Sequence, residues 1–92
     1  MIIDTGKYIL KYNLKRIELS QKELKLLLLL SDNKYHTIKE IRKYVGIVFE
    51  INTKKLIERI NNKLKYQWRI SLISKQKDKD RYKITGNVYI TY

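Results

Sequence analysis

The sequence has no cysteine and no proline, and only three glycines and one histidine among its 92 residues. Without cysteine there is no disulfide framework and no thiolate chemistry, which fits a reducing cytoplasm. The lone histidine, His36, has no ligand-spaced partners, so we expect no metal site. The longest apolar run, residues 26–30, is too short to span a bilayer. The start of the chain, "MIID", lacks a basic region and a cleavage site, so we expect no signal peptide.

Signals for catalysis are also missing. There is no glycine-rich phosphate loop, no nucleophile beside a general base, and no convincing pair of carboxylates. The glutamates are better explained as helix caps and surface residues. We therefore expect neither an enzyme nor a cofactor.

Positive charge, in contrast, is abundant. The chain carries 21 Lys and Arg against nine Asp and Glu, a net charge of +12. Residues 52–83 alone hold eleven basic and three acidic residues, or +8, so the charge is concentrated rather than evenly spread. A concentrated basic surface favours a polyanionic partner such as nucleic acid.

The first half of the chain predicts short strands followed by two helices. Apolar runs flank a turn at Thr5-Gly6, and "KRIEL" at 15–19 gives another short alternating segment. "SQKE" and "TIKE" are capping-box patterns that place helix starts at Ser20 and Thr37. The first helix is leucine-rich on several sides, which predicts a central position, and "SDN" at 31–33 ends it. We expect it to bury Leu24, Leu27, Leu28 and Leu30, with Leu26 and Leu29 widening the stripe.

The second helix has apolar residues at intervals of three and four, and Gly46 suits a left-handed C-terminal residue. A third helix is predicted from Asn52 or Thr53 to about Tyr66. Tyr66 and Trp68 are interpreted as core residues that join it to the next strand. The expected buried residues are Ile38, Ile41 and Val45 in the second helix, and Leu56, Ile57, Ile60 and Leu64 in the third.

The stretch "ISLISKQKDKDRYKIT", residues 70–85, alternates apolar and polar residues on both sides of a segment with six charges in seven residues. This pattern predicts a β-hairpin with a mostly basic tip, within which Asp78 and Asp80 pair with neighbours or tune the register. Gly86-Asn87 is interpreted as a two-residue hairpin turn. The segment "VYITY" is a last strand that is apolar enough to pair within the fold or with a second chain.

The predicted order is N-terminal β-strands, three helices, a C-terminal β-hairpin wing and a last strand. This is the plan of an α+β winged helix-turn-helix, with residues 1–92 forming one domain. The third helix takes the place of the recognition helix, and the wing covers about residues 70–84.

The residues that define these elements resemble the OmpR/PhoB-type winged-helix DNA-binding domain over about residues 8–84. "IELSQKELKLLLLLSDNKYHTIKEIRKYV" is similar to its first two helices, and "LIERINNKLK" to its recognition helix. The wing tip "SKQKDKD" is longer and more charged than the family's glycine-rich turn. No receiver domain fits in 92 residues, so the resemblance implies a stand-alone binder or an excised domain. The matching positions are Leu19, Ser20, Glu23, Leu27, Leu28, Thr37, Ile57, Arg59, Ile60, Lys63, Leu64, Tyr82, Lys83 and Ile84.

The predicted function is sequence-specific binding of double-stranded DNA, with the third helix in the major groove and the wing beside it. Side chains of the helix are expected to reach base edges or phosphates: Asn52, Lys54, Lys55, Arg59, Asn62 and Lys63. Wing residues are expected at the minor groove or its phosphates: Lys75, Gln76, Lys77, Lys79 and Arg81. Near the second helix, phosphate contacts are expected from Thr37, Lys39, Arg42 and Lys43.

The biological role has two equally open interpretations. One is a transcriptional regulator, with RNA polymerase as a further partner. The other is an accessory protein of a plasmid or other mobile element that marks a transfer origin for a relaxase. Either role is compatible with a homodimer or with paired binding on repeated sites. The alternative class is a winged-helix protein-interaction module without specific DNA binding; a membrane-surface binder is disfavoured because the apolar stripes are needed for the core.

Overall fold

A computed structural model describes all 92 residues and shows the α+β winged-helix fold that the sequence predicts. Two small sheets flank three helices, and no helix combines the length and apolar character needed to cross a membrane. The elements are β1 (Ile2–Asp4), β2 (Ile9–Tyr12), β3 (Lys15–Glu18), α1 (Gln21–Leu30), β4 (His36–Thr37), α2 (Ile38–Val45), α3 (Glu50–Trp68), β5 (Ile73–Lys75), β6 (Arg81–Ile84) and β7 (Tyr89–Thr91).

The N-terminal strands form a four-stranded sheet in the order β3-β2-β1-β7. The antiparallel β1–β2 pair confirms the turn at Thr5-Gly6. The predicted hairpin at Gly86-Asn87 is wrong, because β7 pairs in parallel with β1 rather than with β6. Gly86 has a φ of 90°, a left-handed conformation that favours glycine, and the chain there leaves β6 for the other sheet. The last strand therefore pairs within the fold.

Helix α1 begins with the predicted capping box. The Glu23 amide donates to Ser20 Oγ at 3.2 Å, and the Ser20 amide donates to Glu23 Oε1 at 2.8 Å. The helix contacts α2, α3, β1 and β6, which confirms its central position. Because it is covered on more than one side, the buried stripe is broader than a simple amphipathic pattern. Leu28, predicted as core, is only half-buried, while these leucines are buried: Leu24, Leu26, Leu27 and Leu30.

Helix α2 begins after Thr37, whose hydroxyl accepts from the Glu40 amide at 3.1 Å. The expected capping box is only half formed, because the Glu40 carboxylate accepts from the Thr37 hydroxyl at 3.2 Å and contacts His36 at 3.0 Å, but does not bind the Thr37 amide. The helix ends at Gly46, which has a φ of 84° and confirms the predicted left-handed residue. The apolar residues predicted for α2 are all buried.

Helix α3 is longer than predicted, from Glu50 to Trp68. Its N-cap is Phe49, which supplies no side-chain cap, so the sequence gives no conventional start signal there. Thr53 was a candidate start but is fully buried inside the first turns, and its hydroxyl donates to the Phe49 carbonyl at 3.2 Å. The four predicted core residues are buried, as is Trp68.

The wing belongs to a second, antiparallel sheet in the order β4-β6-β5. Strand β5 begins only at Ile73, because Arg69 ends α3 in a left-handed conformation (φ 56°) and the chain needs residues 70–72 to reach the sheet. Strand β4 pairs His36 with Tyr82 and Thr37 with Arg81, a partnership that the sequence did not predict. The wing is therefore hydrogen-bonded to the segment that leads into α2.

Candidate nucleic-acid interface

The outer face of α3 is a row of exposed polar and aromatic side chains. They follow one another at intervals of three and four residues, the spacing of one helix face, and lie opposite the buried stripe. We call this row the outer stripe; it consists of Asn52, Lys55, Arg59, Asn62 and Tyr66. Four of these five residues are predicted contact residues, and the structure places them together.

Tyr66 was predicted to pack in the core, which is wrong, because its side chain is 85% exposed. The residue lies four positions after Asn62 and so continues the outer stripe. Trp68 does pack in the core, with its ring centroid 5.6 Å from that of Tyr12. Helical spacing alone places Tyr66 on the exposed face of α3 and Trp68 on the buried face. The sequence therefore contained the signal that distinguishes them.

One flank of α3 faces the wing. Asn61 there donates its amide to the Ile73 carbonyl at 3.0 Å and accepts from the Ile73 amide at 3.0 Å. This two-way contact fixes the start of β5 against the helix. Lys54, on the same flank, lies 3.2 Å from Asp80 at the base of the wing tip. The helix and the wing therefore present their basic residues side by side.

The opposite flank of α3 faces α1. Lys63, predicted to contact DNA, places its ammonium 2.9 and 3.1 Å from the Glu23 carboxylate oxygens and 3.2 Å from the Glu18 carbonyl. Burial disfavours the charged carboxylate, but hydrogen bonds from the Ser20 amide and Lys63 outweigh it and lower the pKa of Glu23. Because its hydrogen-bond donors are used within the protein, we do not propose Lys63 as a DNA contact.

The wing tip, residues 76–80, carries exposed charges on a short loop between β5 and β6. Gln76 is the exception among the predicted wing residues: it is half-buried, and its Oε1 is shielded without a hydrogen-bond donor. Asp78 forms no ion pair and has a φ of 65°, a conformation that aspartate tolerates in turns. The exposed basic residues of the wing are Lys75, Lys77, Lys79 and Arg81.

The predicted phosphate contacts around α2 divide into two groups. Lys39 and Lys43 are exposed and form no ion pair. The Thr37 hydroxyl is used as the helix cap. The Arg42 guanidinium donates to the carbonyls of Ile47 and Val48, both at 3.2 Å, and so holds the turn between α2 and α3. Two of the four predicted residues thus have structural contacts within the protein.

His36 lies between two carboxylates, an arrangement that was not predicted. Its Nε2 is 2.8 Å from Asp32 Oδ2, and its Nδ1 is 3.0 Å from Glu40 Oε2. Partial burial disfavours the imidazolium, but hydrogen bonds to Glu40 and Asp32 outweigh it and raise the pKa of His36. The sequence contained the signal, since Asp32 and Glu40 lie four residues before and after His36. No group of three side chains has the arrangement of a metal site.

An apolar surface adjoins the outer stripe. Val48, Phe49 and Ile51 are 75%, 63% and 63% exposed, and we call them the apolar turn surface. An open groove of about 430 Å³ runs between this turn and α3. A second groove, of about 560 Å³, runs along the outer stripe between Lys55 and Tyr66. Both grooves are open to solvent; the second is lined by α3 alone, and the first by α3, the turn before it and Lys22 of α1.

Comparison with known proteins supports the fold. No protein-family model matches the chain, and no curated protein sequence matches it significantly. Among solved structures, the chain is similar to the DNA-binding domain of E. coli CadC, with a TM-score of 0.75 and 17% sequence identity. The match covers 87% of this chain and 80% of that one. The likeness at this level of identity establishes a shared winged-helix fold.

Proposed function

We propose that this protein binds double-stranded DNA in a sequence-specific manner, with α3 in the major groove and the wing against the neighbouring phosphates. The observation that carries the proposal is the contact between Lys54 of α3 and Asp80 of the wing, at 3.2 Å. It makes α3, through the flank that carries Lys54, and the wing tip neighbouring parts of one surface in a chain of net charge +12. A protruding helix beside a basic hairpin fits the geometry of groove binding.

The roles of the side chains follow from their chemistry. Asn52 and Asn62 have amides that can pair with the N6 and N7 of adenine, and Arg59 can pair with O6 and N7 of guanine. Tyr66, at the end of the outer stripe, adds an exposed aromatic ring beside them. The exposed wing lysines and Lys39 and Lys43 of α2 can neutralise phosphates, which gives affinity without sequence information.

The similarity in fold and the capping and helix motifs together support an OmpR/PhoB-type domain. We propose that the protein acts in the cytoplasm as a transcriptional regulator or as a DNA-processing accessory of a mobile element. RNA polymerase would be the further partner in the first role and a relaxase in the second. Paired copies would bind palindromic or tandem sites, because an outer stripe of one helix reads only a few base pairs.

The decisive experiment is selection of bound sequences from random duplex DNA, followed by anisotropy titrations of each enriched site at several salt concentrations. We expect a recurring motif whose affinity stays well above that of random DNA at physiological salt. Absence of an enriched motif, with affinity that collapses steeply as salt rises, would leave only nonspecific attraction and overturn the proposal.

The division of roles can be tested with variants. Replacing Lys77 and Lys79 together by Ala should weaken binding to all sequences and reduce the salt dependence by about one phosphate contact for each lysine. Asn62→Ala should instead change the preference among sequences. A double Lys7→Ala, Lys15→Ala variant, with one change in the β1–β2 turn and one in β3, removes the same charge as a matched control. Equal effects of the wing and control variants would contradict a role for the wing.

The second candidate function is a protein-interaction module, which the apolar turn surface favours. Three large apolar side chains exposed together are unusual on a small soluble domain and often mark a contact with another protein. This candidate predicts association with a protein partner that is insensitive to salt, and only nonspecific DNA binding. The selection experiment separates the two functions directly.

A further inference from the structure

The carboxylate of Asp80 lies between two lysines from different elements. Its Oδ2 is 3.2 Å from Nζ of Lys54 in α3, and its Oδ1 is 3.5 Å from Nζ of Lys75 in β5. All three side chains are about half exposed, so the cluster lies on the surface rather than in the core. Each carboxylate oxygen thus faces its own ammonium group.

The main chain holds Asp80 at this position. Its carbonyl accepts from the Ile38 amide at 3.1 Å, at the start of α2, and the next residue, Arg81, begins β6. The start of α2, the first turns of α3 and the wing therefore meet at one residue. From this position the carboxylate reaches both lysines.

The chemistry of this cluster is that of an occupied anion site. A carboxylate is a monoanion with two acceptor oxygens, as is a phosphodiester with its two non-bridging oxygens. The hydrogen bond from Lys54 outweighs the small effect of burial and lowers the pKa of Asp80, so the carboxylate is ionised at neutral pH. The same hydrogen bond raises the pKa of Lys54.

We propose that Lys54 and Lys75 form a binding site for one DNA phosphate at the junction of helix and wing, and that Asp80 occupies this site in the free protein. The inference rests on the proposed function, since it assigns a phosphate to two lysines of the same basic surface. A phosphate must displace the Asp80 carboxylate before it gains both lysines. Asp80 is therefore an internal competitor that lowers the affinity of the protein for any duplex.

In a chain with this much positive charge, the competition by Asp80 reduces nonspecific binding to DNA. The sequence-independent attraction to DNA grows with each lysine that neutralises a phosphate and releases a counterion. An aspartate that keeps two lysines occupied removes one such contact from the nonspecific total. The base-reading residues of the outer stripe do not contact Asp80, so their contribution to specificity is retained.

The test compares two variants that change the net charge equally. Asp80→Asn removes the competing charge, whereas Asp78→Asn removes a charge two residues away that contacts no lysine. Asparagine tolerates the left-handed conformation of residue 78 as aspartate does. Both variants and the wild type are titrated by anisotropy against the same random-sequence duplex at several salt concentrations, after their thermal midpoints have been compared.

We expect Asp80→Asn to bind about threefold to tenfold more tightly than Asp78→Asn at the same salt concentration. The slope of log affinity against log salt should be steeper by about one, the value of one additional phosphate. Lys54→Ala should cost more affinity in the Asp80→Asn background than in the wild type, because only there are both lysines free to hold phosphate.

The outcomes separate the two proposals. Binding by the wild type with identical behaviour of Asp80→Asn and Asp78→Asn would overturn the internal competitor while leaving DNA binding intact. Weaker binding by Asp80→Asn would also overturn it, since the carboxylate would then be a structural tie that DNA binding needs. No binding by the wild type or either variant, even at low salt, would instead defeat the proposed function itself.

Discussion

The ammonium of Lys63 lies 2.9 Å from one carboxylate oxygen of Glu23 and 3.1 Å from the other, and the Glu23 side chain is only 2% exposed. This ion pair joins the N-terminus of α1 to the C-terminal half of α3. It fixes the orientation of the helix that we propose to enter the major groove. Lys63 is therefore a positioning residue rather than a contact residue.

Lys63→Met should destabilise the protein by about 1–3 kcal/mol, because it leaves the buried Glu23 carboxylate without its charged donor. Lys55→Met, on the outer stripe of the same helix, removes the same charge from an exposed site and should leave stability within about 0.5 kcal/mol of the wild type. Urea unfolding followed by circular dichroism measures both. DNA titration should show the reverse order, with a smaller salt slope for the Lys55 variant. Equal stability of the two variants would contradict a structural role for Lys63.

The imidazolium of His36 should make stability depend on pH. Its pKa is raised by hydrogen bonds to Glu40 and Asp32 that outweigh partial burial, so the folded state binds this proton more tightly than the unfolded state. The stabilisation is then fully present below about pH 6.5, the ordinary histidine value, and is lost as pH rises through the raised value. The hydrogen bond with His36 lowers the pKa of Glu40, and for Asp32 burial is outweighed by hydrogen bonds from the Lys34 amide and His36, which lower its pKa. The contribution of both carboxylates is therefore lost at acid pH.

The histidine can be measured directly, because it is the only one in the chain. A proton NMR titration should give a pKa above 6.5. The midpoint temperature of thermal unfolding should decrease as the pH is raised from neutral to alkaline. His36→Gln should abolish the loss of stability at alkaline pH and retain part of the loss of stability at acid pH. A pKa at or below the ordinary value would show that the carboxylates do not hold the imidazolium.

Asn61 and Asn62 are adjacent in sequence but should behave differently. Asn61→Ala breaks two hydrogen bonds to the main chain of Ile73 and should cost about 1–3 kcal/mol of unfolding free energy. Asn62→Ala removes an exposed side chain and should change stability by no more than about 0.5 kcal/mol. Denaturant unfolding separates the two. Loss of the Ile73 anchor should also lower affinity for all duplexes, since β5 would no longer be fixed to α3.

Replacement of Gly46 by Ala should destabilise the protein, whereas replacement of Gly6 should not. Gly46→Ala places a side chain in a left-handed conformation, with a φ of 84°, and should cost about 1–2 kcal/mol although the surrounding space is empty. Gly6→Ala is the matched control: its φ is not in that region and the added carbon would lie 3.6 Å from Asp4 Oδ1, an ordinary contact. Thermal unfolding should therefore show a loss only for the Gly46 variant.

Much of the fold was predictable because its signals are local. The Ser20–Glu23 capping box and the left-handed Gly46 depend on residues within a few positions of each other, and both are confirmed. The buried face of α3 follows from helical spacing alone. The same local rule also failed in places: the "TIKE" pattern predicted a full capping box, but His36 competes for the Glu40 carboxylate.

The candidate interface was predictable in part. Helical spacing places Asn52, Lys55, Arg59 and Asn62 in one exposed row, and periodicity could have added Tyr66. Periodicity could not exclude Lys63 from the predicted contact residues, because its partner Glu23 lies forty residues earlier in the chain. A lysine that contacts phosphate and a lysine that neutralises a buried glutamate have the same sequence signature.

The sequence by itself determined the order of the three helices and the wing, the N-terminal caps of the first two helices and the concentration of basic charge, because neighbouring residues control each of these. Only the tertiary structure decided which side chains remain available on the surface. It paired β7 with β1, β4 with β6, and Asp80 with lysines of two elements. Such contacts join residues far apart in the chain, and their free energy depends on distances that exist only once the core has packed.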